Sequence, residues 1–143
     1  MDKNAELINY IYQNSQMGVE TIDQLMDITE DGQFKGLLES QYNEYKAIND
    51  NASRMAHRLG QEEKGLGAFE KWRTGMMIDM QTMVDKSTSH ISEMLMVGSN
   101  MGIINAVRNL KRYQDVDPEI HSLMERLLQL EENNVQELKQ YLS

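Results

Sequence analysis

The sequence predicts an all-α protein folded as an antiparallel four-helix bundle. Three observations lead there. Apolar residues recur every three or four positions over stretches of about 25 residues, the spacing of one helix face. Leu, Met, Glu, Gln and Lys, all good helix formers, dominate those stretches, while Pro occurs once and aromatics make up 6%. Nothing alternates as a strand does, and no Asn-Gly pair marks a hairpin turn. A chain of 143 residues suits one domain with one core, residues 1–143, and it contains no linker or low-complexity tract.

The first helix is expected over 4–29, with Leu7, Ile8, Ile11, Ser15, Gly18, Ile22, Leu25 and Met26 inward. "EDGQ" at 30–33 ends it, with Gly32 available for a left-handed cap. The second covers 34–59, with Phe34, Leu37, Leu38, Gln41, Tyr45, Ile48, Ala52, Met55, Ala56 and Leu59 on one face. Its last turn holds Arg54, His57 and Arg58, cations that complement the helix dipole, and Gly60 follows. "GQEEKGLG" reads as a loop, although residues 60–75 are open between loop and helix. The third helix is expected from about 68–75 to 113, long, and kinked or broken near Gly98–Gly102; two helices in its place are the alternative. One line on it, Met77, Met80, Val84, Ser87, Ile91, Leu95 and Gly98, faces the core. The fourth helix covers 118–142, with Asp117 as N-cap and Pro118 at the first position. Its apolar arc is Ile120, Leu123, Met124, Leu127, Leu128, Val135, Leu138 and Leu142.

Composition narrows the function. With 14 basic and 23 acidic residues the net charge is −9, which disfavours nucleic acid and anionic membrane as partners. Without Cys there is no disulfide, thiolate metal site or Cys nucleophile. The opening "MDKNAELINYIYQ" does not read as a secretory signal, and "MLMV", the longest strongly apolar run, is far too short to span a bilayer. A cytoplasmic protein is expected. No Ser-His-Asp spacing, phosphate-binding Gly loop or HExxH is present, so no catalytic residue is assigned.

The informative irregularity is "LLQLEENN" at 127–134, which turns Glu131 and Asn134 toward the apolar side of its helix. "LLESQYNE" at 37–44 aligns with it without a gap, matching Gln41 to Glu131 and Glu44 to Asn134. Two helix pairs, each with a polar i, i+3 couple on its second helix, resemble the ferritin-like superfamily. The closest likeness is to small four-helix-bundle members with a degenerate di-iron motif. The resemblance implies Glu-x-x-His on the second and fourth helices and one Glu each on the first and third. Here the motifs become Gln41-x-x-Glu44 and Glu131-x-x-Asn134, while Glu20 and Glu93 fall away from the core line. Such a donor set holds a divalent ion poorly. The expectation is therefore a hydrogen-bonded polar layer, reaching Tyr10 or Tyr45, with no cofactor. Binding of Fe, Mn or Zn by Gln41, Glu44, Glu131 and Asn134 is the alternative. If Glu131 is dry and lacks a cation, its pKa should rise.

Of 12 Met residues, seven lie between 76 and 101. Met is a flexible core filler, which accounts for them better than copper binding does. His57, His90 and His121 are scattered and read as structural or solvated. A second line on the third helix carries Trp72, Met76, Met83, His90, Met94, Val97 and Met101, doubling the apolar stripe that one bundle needs. A homodimer through this face is expected. Ser15 and Gly18 leave room for a small cavity, so a small-molecule binder at the Met-rich face is a further alternative. The leading expectation is a non-enzymatic, homo-oligomeric structural or interaction module.

Overall fold

Two aspartates punctuate the first half of the chain. The structure, a computed structural model, describes residues 2–60 and 83–143. α1 (Lys3–Ile28) starts where the Asp2 carboxylate accepts from the Asn4 amide at 3.1 Å. α2 (Gly32–Arg58) starts where Asp31 accepts from the Phe34 amide at 3.0 Å. Gly32 is thus the first residue of α2 and not the cap of α1. α1 ends at Thr29, whose extended backbone breaks the helix while its hydroxyl donates to the Leu25 carbonyl at 2.7 Å. Among the described residues the left-handed glycine is Gly60, φ +69°, just beyond α2.

α3 (Thr88–Arg112) is shorter than the sequence pattern implies. Residues 83–87 are not helical, so the continuous helix expected from 68–75 onward does not reach α3. The reason is local. Ser87 donates its amide to Asp85 Oδ1 at 2.9 Å and accepts from the His90 amide at 3.2 Å. Short polar side chains that bond nearby backbone compete with helix propagation and favour caps. Val84, expected in the core, is consequently 97% exposed, and Ser87 is exposed too. α3 continues through 98–102 without a break. The expected loop or helix at 60–75 lies outside the described residues, save Gly60, which is in a turn.

α4 (Pro118–Leu138) begins as expected, with Asp117 accepting from the Glu119 amide at 3.0 Å. It tightens into a 3-10 turn over Lys139–Tyr141, which changes the period and leaves Leu142 exposed instead of inward. Leu59, at the far end of α2, is likewise exposed.

The described residues thus form four α-helices and no strand. α1 packs mainly on α2, and α3 on α4. α4 also contacts α1 and α2, whereas α1 and α3 barely touch. Gly18 meets Tyr45 and Ser15 meets Asn49, so α1 and α2 run antiparallel. The four helices share a core of fully buried Leu7, Ile8, Ile11, Ile22, Leu25, Phe34, Leu38, Ile48, Ile91, Met124, Leu127 and Leu138. Each such side chain contributes about 1.5–3 kcal/mol of burial free energy. On α3 the buried line runs through Ile91, Ser99, Gly102 and Ala106, so Gly98 is on the surface and not in the core. Small residues carry little hydrophobic signal, yet they let α4 approach closely. No helix among the described residues is long and apolar enough to cross a membrane.

Candidate functional site: a cleft floored by Glu131

The period of α4 turns positions 127, 131, 134 and 138 to one side. Leu127 and Leu138 are therefore buried, and Glu131 and Asn134 between them are buried as well, at 4% and 1% exposure. Each needs a partner, because an unpaired buried polar group costs about 1–3 kcal/mol. Tyr45 on α2 supplies it. Its hydroxyl donates to Glu131 Oε2 at 2.7 Å and accepts from Asn134 Nδ2 at 3.2 Å.

Two glycines make room for this layer. A Cβ on Gly18 of α1 would stand 2.6 Å from the Tyr45 ring, and one on Gly102 of α3 would stand 2.7 Å from Glu131 Oε1. The sequence at these points admits a ring and a carboxylate where any side chain would collide. Below them, Asn49 ties α2 to α1, donating to the Tyr12 carbonyl and to Ser15 Oγ, each at 3.1 Å.

Because α1 and α3 barely meet, the layer is not sealed on that side. A cleft of about 510 Å³ opens there, with Tyr45, Gln41, Glu131 and Ser99 at its floor. Met17, Ile22, Leu25, Met94 and Leu95 form its walls, and Gly98, Met101 and Asn105 its exposed rim. Two amide groups inside have no hydrogen-bond partner of good geometry among the described residues: Gln41 Nε2, on a residue only 3% exposed, and Asn14 Nδ2.

The electrostatics follow from burial. Desolvation pushes the Glu131 carboxyl up to about 6, although hydrogen bonding from Tyr45 and, more weakly, from Ser99 and Asn14 favours the charged form. Asn14 exerts this pull from close by without meeting hydrogen-bond geometry. The Tyr45 phenol lies well above its ordinary 10, first through burial and then through the Glu131 charge. Tyr10 is raised to about 12 for the same two reasons in the same order. The rise expected for a dry Glu131 without a cation is thus what burial produces here.

Of the four candidate ligands, Glu131 and Asn134 share the Tyr45 hydroxyl, Gln41 lines the same cleft as Glu131, and the fourth, Glu44, joins neither. Glu44 is exposed, because α2 directs positions 41 and 45 inward, an i, i+4 pair in place of the i, i+3 pair that the alignment implied. Glu93 is exposed, and the half-buried Glu20 accepts from Gln16 Nε2 at 3.2 Å. No group of three or more His, Asp or Glu among the described residues is placed to hold a metal ion. One carboxylate, two amides and a phenol do not fit the di-iron centre that the resemblance implies. The histidines serve elsewhere: His121 lies 2.7 Å from Glu125 and His90 3.9 Å from Glu93.

The Met-rich face divides. Met83 packs on the core, Met94 enters the cleft wall, His90 is half-buried, and Met101 is 61% exposed; Trp72 and Met76 lie outside the described residues. Asn14 and Ser99 escaped the sequence reading, and Gly102 was singled out there with Gly98 as a place of kink or break, not as part of this site. The small-residue line Ser99, Gly102, Ala106 was the available signal, since such a line marks close helix approach.

Fold and site together define a helical bundle with a half-open, mostly apolar cleft on a hydrogen-bonded polar floor. Comparison with protein-family models, curated proteins and solved structures finds no match to this chain.

Proposed function

We propose that this protein is a non-catalytic, ferritin-like helical bundle that binds a small amphipathic molecule in the cleft between α1 and α3. The observation that carries the reading is the joining of an apolar volume of about 510 Å³ to a buried amide donor, Gln41 Nε2, that has no partner among the described residues. Ligand sites are typically concave, mostly apolar and furnished with a few placed polar groups. The ferritin-like reading draws support from the two hairpins, α1–α2 and α3–α4, that the described residues form.

Titration with N-phenyl-1-naphthylamine, a neutral apolar fluorophore, tests it. Saturable fluorescence at one site per chain is expected. Gly98→Phe should abolish it with helicity unchanged, because a side chain there projects into open space at the cleft rim. Absence of saturation, or binding indifferent to Gly98→Phe, would overturn the reading.

A second reading is self-association through the outer face of α3. It rests on a line of exposed apolar residues, Val97, Met101, Ile104 and Val107. Light scattering should then give a mass above the 16.6 kDa of one chain, restored to that value by Ile104→Glu. A monomer at high concentration removes this reading and leaves the first intact.

A further inference from the structure

We infer that the molecule taken up by this cleft is an organic amine, an ammonium head seated against the Glu131 carboxylate with its apolar body along the methionine-lined walls. The inference rests on the small-molecule reading above and specifies its ligand.

Among the described residues Glu131 is the only carboxylate that lines the cleft, and no described Lys, Arg or His lines it. Among the described residues its side chain enters no ion pair; the ion pairs that form lie at the surface, as Lys46–Asp50, Arg58–Glu119 and His121–Glu125 do. Its Oε2 is bonded to the Tyr45 hydroxyl, and its Oε1 lies against the bare backbone of Gly102. A carboxylate has room for about four hydrogen bonds. Removing a charge from water without a counter-ion is costly, and a cation delivered by the ligand offsets that cost. The protein's net charge of −9 also concentrates cations at its surface.

The walls suit the rest of such a molecule. Met17, Met94 and Met101 are flexible and adapt to an aliphatic or aromatic body, while Ile22 and Leu25 give fixed apolar surface. Gln41 Nε2, a donor without a partner among the described residues, fits a hydroxyl, ether or carbonyl oxygen on the same ligand. An anionic head is disfavoured, since it would face Glu131 across a low-dielectric space.

The test compares n-octylamine, n-octanol and octanoate by calorimetry on the full chain at mildly alkaline pH. Octylamine should bind about tenfold tighter than octanol, the effect of one charge-assisted hydrogen bond, and octanoate weakest. Glu131→Gln should erase the amine's advantage while octanol binding persists. In the wild type, the advantage should fade as pH drops through about 6, where Glu131 gains its proton. Tyr10 and Tyr45, the other titratable groups coupled to Glu131, stay protonated in that range. The pH series needs no variant, and Gly98→Phe, built into open space, should block all three ligands. Octanol or octanoate matching octylamine, or an amine preference that survives Glu131→Gln or low pH, would overturn the amine inference but leave the cleft reading standing. Failure of all three ligands and of the fluorophore would overturn both.

Discussion

Replacing Glu131 by Gln should change how stability depends on pH, in an amount set by burial. Desolvation raises the Glu131 carboxyl from 4.5 to about 6. Each pKa unit corresponds to about 1.4 kcal/mol, so this is about 2 kcal/mol. The sign is fixed by linkage. The folded state holds the proton more tightly than the unfolded state, so the contribution is fully present below about pH 4.5 and is lost as pH rises through about 6. Gln keeps an oxygen for the Tyr45 hydroxyl but does not titrate. The stability of Glu131→Gln relative to wild type should therefore rise by about 2 kcal/mol between about pH 4 and about pH 8. That is about 6 °C in Tm for a chain of this size. Urea unfolding followed by far-ultraviolet circular dichroism at several pH values measures it directly. Every other side chain is common to the two proteins, so its contribution cancels in the difference. Two curves that stay parallel across the range would refute the claim that Glu131 is a desolvated carboxylate without a cation.

Three further outcomes follow from the same geometry. Gly98 and Gly102 occupy one helix but opposite environments: a Cβ at Gly98 meets nothing within 4 Å, whereas one at Gly102 stands 2.7 Å from Glu131 Oε1. Ala should gain about 1 kcal/mol of helix propensity at either position, but overpacking should set Gly102→Ala below Gly98→Ala by about 1–3 kcal/mol in thermal unfolding; equal gains would contradict the close approach. Tyr45→Phe removes the donor to Glu131 and the acceptor for Asn134, so it should cost about 1–3 kcal/mol. It should also raise the Glu131 pKa further, since the Tyr45 hydroxyl holds it down; carboxyl NMR would show an unchanged midpoint if the bond were absent. Asp31→Ala should lose about 1 kcal/mol of stability by leaving the Phe34 amide uncapped, a loss that Asp31→Ser restores if capping is the cause.

Helix content and most faces are written locally. Ile8, Ile11, Ile22 and Leu25 on α1, Phe34, Leu38 and Ile48 on α2, and Leu127 and Leu138 on α4 are buried where their spacing put them. Asp117–Pro118 starts α4 because a cap and a fixed φ act within one turn. The burial of Glu131 and Asn134 was legible for the same reason: position along a helix fixes direction.

What spacing could not give is the partner across the bundle. The register of α2 against α4 decides which inward residue of α2 meets Glu131, here Tyr45, and shared periodicity leaves that register free. The start of α3 at Thr88 depended on Asp85 and Ser87 bonding local backbone, a competition that the helical spacing of Met80, Val84 and Ile91 conceals. The buried line of Ser99, Gly102 and Ala106 carries almost no hydrophobic signal and became inward only through close contact with α4. The amino-acid order alone therefore determined which segments coil and which sides are greasy, since both arise between near neighbours. Only packing decided that α1 and α3 stand apart with the Glu131 carboxylate at the base of the gap, because that spacing depends on side-chain volumes from three other helices meeting at once.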